Sequence, residues 1–365
     1  MPKIKDITAY LDRIAPPAYQ ENYDNSGLIA GEPHKEITGV LVTLDVTEDV
    51  VEEASKRSCN LIVAHHPIIF KGLKRLTGSN YVERTVMMAL RNDIAIYAIH
   101  TNLDNVHTGV NRKICEMIGL EKTKILAPKK NLLKKLEFFV PEENTKEVLN
   151  ALHRAGAGEV GNYDHCSFRS SGTGSFRPGE GTKPHIGAQD VQEEVKEHKA
   201  EVLLPAHKEH AVLQALFAAH PYEEVAYYLF LLENENQEVG SGMVGELPQP
   251  MQAMEFLRHL KRSMNLNMIR YTKPTGREIR RVAVCGGAGS FLLGQAKRSQ
   301  ADVFITADFK YHEFFDAEDS IMIADIGHYE SEVYTKDLLV EILNKKFANI
   351  ASYLSEVVTN PIAYL

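Results

Sequence analysis

NLIVAHHPIIF (60–70) is a short apolar stretch that carries two adjacent histidines, and the fold prediction starts from it. Two further apolar runs of strand length flank it, TGVLVTLD (38–45) and IAIYAIHTNLD (94–104). The segments between these runs, TEDVVEEASKRS and VERTVMMALRND, have the periodicity of amphipathic helices, and Thr47 is placed to cap the first of them. Short buried strands that alternate with helices predict a parallel α/β sheet.

The end of the chain repeats this plan. Its apolar runs predict three strands and two helices, in the order RRVAVCGGAG (280–289), SFLLGQAKRSQ (290–300), ADVFITADF (301–309), SIMIADIGH (320–328) and SEVYTKDLLVEILNKKF (331–347). A strand, a helix and a second strand lead to a polar cluster in both halves, over 25 positions from Val40 to His65 and 26 from Val282 to Asp308. We therefore predict two related α/β halves, derived from an internal duplication.

The middle of the chain has a different order of elements. LEFFVP (136–141) predicts a strand, NTKEVLNALHRAGAG (144–158) a helix, and the Gly/Ser/Pro-rich RSSGTGSFRPGEGTKPHIG (169–187) a hairpin or loop. A strand, a helix and a strand then follow at AEVLLPA (200–206), KEHAVLQALFAAH (208–220) and EEVAYYLFLLE (223–233). This order predicts a ferredoxin-like α+β module. The next segment, NENQEVGSGMVGELPQP (234–250), has the composition of a return linker.

These patterns predict a single α/β domain that is interrupted by an inserted domain. We expect residues 1–128 to form the first half of this α/β domain, 129–235 the ferredoxin-like insert and 236–365 the second half of the α/β domain.

Composition excludes several classes of protein. Hydrophobic residues make up 44% of the 365 residues and charged residues 25%, which is ordinary for a globular protein. The formal net charge of −8 argues against binding nucleic acid through bulk electrostatics, although a local basic patch stays possible. The four cysteines form no C-x-x-C pair, no apolar run reaches about 18 residues, and the opening residues lead us to expect no signal peptide. A cytoplasmic protein with no membrane partner is the expectation.

Metal-ligating side chains follow the predicted strands. His65 and His66 end the run LIVA, Asp104 follows IAIYAIH, and His328 follows IMIADIG. Glu332 stands four residues after His328, so a helix would put both on one face. Each signal alone has a simpler interpretation, namely a structural histidine or an exposed ion pair. Together, three histidines and two carboxylates suit Zn²⁺, Mn²⁺, Fe²⁺ or Co²⁺.

Further polar residues near these strand ends are open to two interpretations. Asp45 either supports a ligand or caps a helix, and Asn102 either orients a ligand or forms a turn. Lys71, Lys310 and His312, with Tyr311 between the last two, either contact a phosphate or transfer protons, or are solvated loop residues. The turn GGAGS (286–290) either holds an anion through its backbone N–H groups or is simply tight.

Five stretches resemble the Nif-three-like dinuclear metal-centre family, whose members are commonly called GTP cyclohydrolase 1 type 2 homologues. They are YDNSGL (23–28), AHHPIIFKGLK (64–74), HTNLDNVHTGVN (100–111), TADFKYHEF (306–314) and GHYESE (327–332), and the resemblance runs from about residue 5 to the end. One departure is Tyr23, where the family often has tryptophan.

The resemblance implies a site, an assembly and an insert. It implies that two divalent ions (Zn, Fe, Mn or Co) are held at the positions of His65, His66, Asp104, His328 and Glu332. It also implies a ring-shaped homohexamer with the metal sites facing an inner cavity, and an insert similar to the PII and CutA folds.

Two functions are compatible with this reasoning. The first is a metal-dependent hydrolase of GTP cyclohydrolase type, acting on a nucleotide or another phosphorylated compound. The second is a non-enzymatic metal-binding protein that regulates or delivers metal. An open ligand set favours the enzyme, whereas a PII-like insert favours regulation, and fold analogy cannot decide between them.

Overall fold

The computed structural model describes residues 2–365, which cluster into two compact units. The first unit combines the chain up to Pro128 with Val239–Leu365, and the second is Lys129–Glu238. Before the second unit the elements are α1 (Ile4–Ile14), β1 (Gly27–Ala30), β2 (Val40–Thr43), α2 (Glu48–Lys56), β3 (Leu61–Ala64), α3 (Tyr81–Arg91), β4 (Ala95–Ala98), α4 (Thr101–Asp104), α5 (Val110–Ile118) and β5 (Glu121–Lys129).

The remaining elements continue in chain order. The second unit contains β6 (Leu133–Pro141), α6 (Thr145–Arg154), β7 (Phe168–Phe176), β8 (Glu193–Pro205), α7 (Glu209–Ala219) and β9 (Tyr227–Leu232). After it come β10 (Asn236–Met251), α8 (Ala253–Ser263), β11 (Arg270–Tyr271), β12 (Ile279–Ala288), α9 (Leu293–Arg298), β13 (Val303–Ala307), β14 (Met322–Asp325), α10 (His328–Glu332), α11 (Thr335–Lys346) and β15 (Ser352–Leu354). Short 3-10 turns lie at Pro17–Tyr19, Ala206–Lys208, Ser290–Leu292 and Tyr311–Ala317.

The first sheet has the strand order β1-β4-β3-β2-β15. Its central strands β2, β3 and β4 run parallel, and every residue in them is buried, because helices cover both faces of such a sheet. Thr47 directly precedes helix α2, and its side chain accepts a hydrogen bond from the Val50 N–H, so the predicted cap is confirmed.

The second sheet has the order β11-β14-β13-β12-β10-β5. Strands β12, β13 and β14 run parallel, as β2, β3 and β4 do. In both sheets an earlier strand, β1 or β11, adds antiparallel beyond the third parallel strand. The chain is therefore a mixed α/β protein with several sheets, and the first four strands of the two sheets follow the same order.

The second unit contains a four-stranded sheet of order β7-β8-β6-β9, in which every neighbouring pair is antiparallel. Its chain order is strand, helix, strand, strand, helix, strand. Both helices pack on one face of this sheet, where residues such as Phe138 and Leu216 form the core. The opposite face carries charged side chains, including those of Lys199 and Glu201.

The structure corrects the predicted linker at 234–250. This segment is β10, which lies between β12 and β5 inside the second sheet. Its glycines allow a close approach of backbones, since a Cβ atom at Gly240 would lie 2.3 Å from the Ala127 carbonyl oxygen and one at Gly245 would lie 3.0 Å from that of Glu121. Glycine-rich composition here reflects tight strand packing.

Several predicted elements are shorter than expected. The strand predicted for 60–70 ends at Ala64, and the one for 94–104 ends at Ala98, so Asp104 lies at the end of the short helix α4. The predicted final helix is broken into α10 and α11. Of the helices formed by residues 2–365, none combines the length and apolarity needed to span a bilayer.

Candidate metal centre

Polar side chains from both halves of the first unit meet beyond the carboxyl ends of the parallel strands. His65 and His66 directly follow β3, and His100 lies two residues after β4. Asp308 follows β13, and the turn at Gly327 after β14 leads into α10, which carries His328 and Glu332. The carboxyl ends of parallel strands are the usual place for a site in open α/β sheets, because the loops there converge.

Glu332 lies at the centre of this cluster and is only 2% exposed. Its Oε2 atom is 2.9 Å from Nε2 of His66 and 3.1 Å from Nε2 of His328. Its Oε1 atom is 3.9 Å from Nε2 of His65. The two carboxylate oxygens therefore face different histidines. An exposed surface ion pair, the simpler interpretation of the four-residue spacing, does not describe a carboxylate buried this deeply.

His65 and Asp104 present buried polar atoms that no protein group satisfies. Nδ1 of His65 lies 2.9 Å from the Ile99 carbonyl oxygen and donates to it, so Nε2 is the ring nitrogen that faces the cluster. That Nε2 and Oδ1 of Asp104 are both buried, lack hydrogen-bond partners and lie 3.5 Å apart. A buried ring nitrogen and a buried carboxylate oxygen that face each other in this way need a proton or a cation between them.

Three histidines of the cluster have their Nδ1 atom within hydrogen-bond distance of a carboxylate. Nδ1 of His66 is 2.7 Å from Asp45 Oδ1, and Nδ1 of His328 is 2.7 Å from Asp308 Oδ2. Nδ1 of His100 is 2.8 Å from Asp24 Oδ1 in the same way. Histidines that bind metals typically donate their second N–H to a carboxylate or carbonyl, which fixes the ring and leaves Nε2 for the metal.

In the protein without a cation, protons occupy this centre. Burial lowers the pKa of His66, but hydrogen bonds to Asp45 and Glu332 outweigh it and raise the pKa to about 10. Burial also lowers the pKa of His328, yet Glu332 and Asp308 raise it to about 9. Burial and the neighbouring Glu332 charge raise the pKa of Asp104 to about 7. The pKa of Glu332 is held well below its usual range, since its histidine hydrogen bonds outweigh burial.

The side chains form three groups whose ligand atoms lie within 4.8 Å of one another. These groups are His65, Asp104 and Glu332; His66, His328 and Glu332; and His65, His66 and His100. Imidazole nitrogens with carboxylate oxygens, and no thiolate among them, suit Zn²⁺, Fe²⁺, Mn²⁺ or Co²⁺. The residues present therefore fit a divalent metal ion, and the unsatisfied atoms of His65 and Asp104 are the observation on which this fit rests.

Gly287 makes room for the central carboxylate. Its φ of +63° lies in the left-handed region, and a Cβ atom there would lie 2.4 Å from Oε1 of Glu332. The N–H of Gly287 donates to Ser331 Oγ at 2.9 Å, and the N–H of Gly286 donates to Asn111 Oδ1 at 3.0 Å. These N–H groups are already used, so the turn shapes the floor beneath Glu332 and does not present them to an anion.

A cavity of about 800 Å³ opens over the cluster. Aromatic and apolar side chains form much of its wall, among them Tyr23, Phe70, Tyr81, Phe291 and Ile362. Asp45, His66, His100, Asp104, His328 and Glu332 supply its ionisable groups, together with Glu21 and Cys285. No lysine or arginine of the described chain lines it.

The supporting residues predicted from sequence fall into two sets. Asp45 contacts His66 and also accepts a hydrogen bond of 2.6 Å from the Thr359 hydroxyl, so it orients the His66 ring and does not cap α2. Asn102 is fully buried and fixes backbone, because its amide donates to the Ala15 carbonyl and its Oδ1 accepts from the His100 N–H. Lys71, Lys310 and His312 are exposed and do not line the cavity.

Sequence reasoning missed three residues of the site. His100 follows the apolar run IAIYAI much as His65 follows LIVA, and that position is a signal that could have identified it. Asp24 and Asp308 lie in stretches with polar clusters, but nothing in the sequence pairs either with its histidine. Asp24 accepts hydrogen bonds from His100 and Thr101, which outweigh burial and hold its pKa below its usual range.

Comparison with known proteins covers nearly the whole chain. The family model of Duf34/NIF3 (NGG1p interacting factor 3) matches residues 2–361. A Bacillus subtilis (strain 168) protein named GTP cyclohydrolase 1 type 2 homolog is 38% identical over 366 residues, which is 99% of this chain and 98% of that protein. The crystal structure of a Bacillus cereus protein related to NIF3 superposes with a TM-score of 0.87 at 37% identity, covering 100% and 99% of the two chains. Staphylococcus aureus protein SA1388 gives 0.79 at 30%, with the same coverage.

Proposed function

The chain belongs to the Duf34/NIF3 family, and we propose that it is a hydrolase that uses two divalent metal ions held by His65, His66, Asp104, His328 and Glu332. The observation that carries this proposal is the position of Glu332. This residue is shared by two of the three ligand groups, and its two oxygens approach different histidines. Curated relatives carry the name GTP cyclohydrolase 1 type 2 homolog, which agrees with a hydrolytic role.

The proposed stoichiometry follows from how the ligands divide. His65, Asp104 and Glu332 would hold one ion, and His66, His328 and Glu332 would hold the other. Three protein ligands for each ion leave positions open for water and substrate, as catalytic sites require. When bound, such a pair of ions would supply an activated water molecule and positive charge for hydrolysis. The metal itself is proposed to be zinc, iron, manganese or cobalt.

His100 is the residue we assign to proton transfer. Asp24 holds its Nδ1, which leaves Nε2 for the cavity that the ring lines. Its ring centroid is 5.3 Å from that of His65 and 5.2 Å from that of His66. An imidazole oriented by an ionised carboxylate beside a reacting water is the usual arrangement for general acid–base catalysis.

The proposed substrate is a nucleotide or another phosphorylated compound. A cavity of about 800 Å³ has the size of a small-molecule site, and its aromatic wall suits a planar ring. The wall itself lacks lysine and arginine, but Lys71, Lys74 and Arg75 follow Phe70, which lines the cavity. These three exposed cations are proposed to hold the phosphate, together with the metal ions.

A specific observation favours a second candidate function. The absence of lysine and arginine from the described cavity wall is what a metal-binding regulatory or metal-delivery protein would show, because it has no anion to bind. The insert, residues 129–235, is proposed to be a ferredoxin-like module of the PII or CutA type, and its strand order supports this. Such a module would act as a sensor or adaptor. A cytoplasmic location fits both functions and is likewise a proposal.

The assembly is proposed to be a homohexamer of ring shape. Closed symmetry is the usual outcome for soluble oligomers, since it satisfies every copy of the interface. Sedimentation of the purified full chain at micromolar concentration should give one species of six chains, and a monomer would contradict the proposal.

A substrate panel separates the two functions. Full-length protein loaded with Zn²⁺, Mn²⁺, Fe²⁺ or Co²⁺ is incubated with GTP, other nucleotides and phosphorylated small molecules, and products are followed by chromatography. The hydrolase proposal expects turnover of at least one compound, loss of turnover in Glu332→Gln and retention in Glu330→Gln, whose side chain contacts Asn360. Metal binding without turnover of any compound would favour the regulatory or delivery role.

A further inference from the structure

The second compact unit has a cavity of its own, of about 410 Å³, which the proposed hydrolase chemistry does not use. It lies where the loop after β7 and the segment around Tyr222 meet the sheet. Aromatic rings of Phe139, Phe176 and Tyr222 line it, together with the carboxylates of Glu197, Glu223 and Glu224. Its volume is within the range of small-molecule sites.

Glu197 is the most deeply buried carboxylate of this cavity, at 7% exposure. It lies on β8, on the sheet face that carries Lys199 and Glu201 and is turned away from α6 and α7. Its Oε1 atom accepts a hydrogen bond of 2.9 Å from the Tyr222 hydroxyl. Gly174 leaves room for its other oxygen, because a Cβ atom there would lie 2.0 Å from Oε2.

No cationic side chain within the described residues forms an ion pair with Glu197. The contrast with Glu137, which is 8% exposed on the same face, is informative. Glu137 has two lysine partners, Lys199 at 3.0 Å and Lys135 at 3.6 Å. Lys135 and Lys199 also bind Glu201. Burying a carboxylate costs free energy unless a positive charge compensates it, so Glu197 lacks the partner that its neighbours have.

The wall around Glu197 is fixed by hydrogen bonds. The Tyr222 N–H donates to Nδ1 of His220 at 3.1 Å, and Nε2 of His220 donates to the Phe139 carbonyl at 2.8 Å. The Lys183 N–H donates to Glu223 at 2.9 Å and ties down the loop after β7. Arg177 is the one arginine or lysine among the described lining residues, against three glutamates. The cavity is therefore prearranged and acidic.

We propose that this cavity binds a small organic ammonium ion, with the charged nitrogen on Glu197 and the carbon body against Phe139, Phe176 and Tyr222. An ammonium group supplies the missing positive charge and hydrogen-bonds to the carboxylate. Aromatic faces attract the same cation and cover its apolar part, which a bare metal ion would not need. This site lies entirely within the second unit and is independent of the metal centre.

Titration calorimetry of the full-length, metal-loaded protein tests the site with putrescine as the probe. The uncharged comparator is 1,4-butanediol, which has the same carbon chain, and Mg²⁺ alone is the inorganic comparator. We expect putrescine to bind, and butanediol to bind at least about tenfold more weakly. Any binding of Mg²⁺ should be the same whether or not Glu197 is present. Absence of putrescine binding, or equal binding of butanediol, would overturn the proposal, as would Mg²⁺ binding that depends on Glu197.

Matched variants locate the binding. Glu197→Gln removes the charge but keeps the size, and should weaken putrescine at least about tenfold. Glu201→Gln, on the same strand and face but outside the cavity, should leave the affinity within about twofold. Phe176→Leu keeps the apolar volume but removes an aromatic face, and should weaken putrescine binding several-fold. This variant tests the site independently if Glu197→Gln fails to fold. Unchanged affinity in folded Glu197→Gln or in Phe176→Leu would contradict the assignment.

Discussion

Oε1 of Glu332 occupies the space that a side chain at Gly287 would need, since a Cβ atom at Gly287 would lie only 2.4 Å away. Gly287 also has a φ of +63°, which an L-residue adopts at a cost of about 1–2 kcal/mol. The backbone of β12 and the shared carboxylate are thus in direct contact. One glycine in the second half fixes the position of the residue on which the dinuclear proposal depends.

Replacing Gly287 by alanine should therefore reduce metal content as well as stability. The added methyl group must displace Glu332, and both proposed ion positions lose a ligand. The matched control is Gly276→Ala, because Gly276 has a similar φ of +82° but nothing within 4 Å of its Cβ position. Elemental analysis should show a loss of metal in Gly287→Ala but not in Gly276→Ala. The melting temperature should fall in both variants. Full metal content in Gly287→Ala would show that Glu332 is not held as described.

Protein purified from cells grown in metal-replete medium should contain close to two divalent ions per chain. The Glu332→Gln variant should contain fewer. The neutral amide is a poorer ligand and cannot bridge two cations well. The variant should also melt at a lower temperature, because a metal that binds only the folded state stabilises it. Glu330→Gln is the control on the same helix. Equal metal content in the two variants would remove Glu332 from the site.

His100→Gln should separate catalysis from metal binding. If His100 transfers protons, the variant should keep its metal and lose about 10²–10⁴-fold in turnover of any substrate found. His66→Gln is the comparison and should lose metal. A fall in metal content for His100→Gln would instead indicate that His100 is a ligand. A ring nitrogen of His100 lies within 4.8 Å of ring nitrogens of His65 and His66.

The metal-free protein should become less stable as pH rises. The folded protein raises the pKa of His66 to about 10 and of His328 to about 9, above the value of about 6.5 in an unfolded chain. The folded state therefore binds more protons than the unfolded state above about pH 6.5, and this stabilisation is lost as pH rises through both folded values. Melting temperatures of chelator-treated wild type and His66→Gln should converge between pH 6.5 and 10. A constant difference would contradict the assignment.

Residues 129–235 should be removable without loss of the metal centre. Strands β5 and β10 are neighbours in the second sheet, so the chain leaves and re-enters the first unit at one place. A short Gly/Ser bridge from Pro128 to Asn236 should leave a folded protein with unchanged metal content, because every proposed ligand lies outside the deleted segment. Circular dichroism of an unfolded product would show that the insert is part of the core.

The parallel strands were predictable because burial on both faces makes each a continuous apolar run, as in Leu61–Ala64. The spacing of His328 and Glu332 was equally readable, since helix geometry alone puts them on one face. The contact of His328 with Asp308, 20 residues earlier, depends on how β13 and β14 are placed side by side, which no local pattern encodes. The glycines of β10 misled the prediction because the same residue serves flexible linkers and close strand crossings.

Each sheet of the first unit contains a strand contributed by the other half of the chain. β5, from the first half, lies at the edge of the second sheet, and β15, from the second half, pairs with β2 in the first. The two halves are thus interlocked, although they follow one plan. Neither sheet can be completed before the other half is present, so the unit should melt in a single cooperative transition. If the chain is cut within the insert, each of the two fragments should fold only when it is mixed with the other.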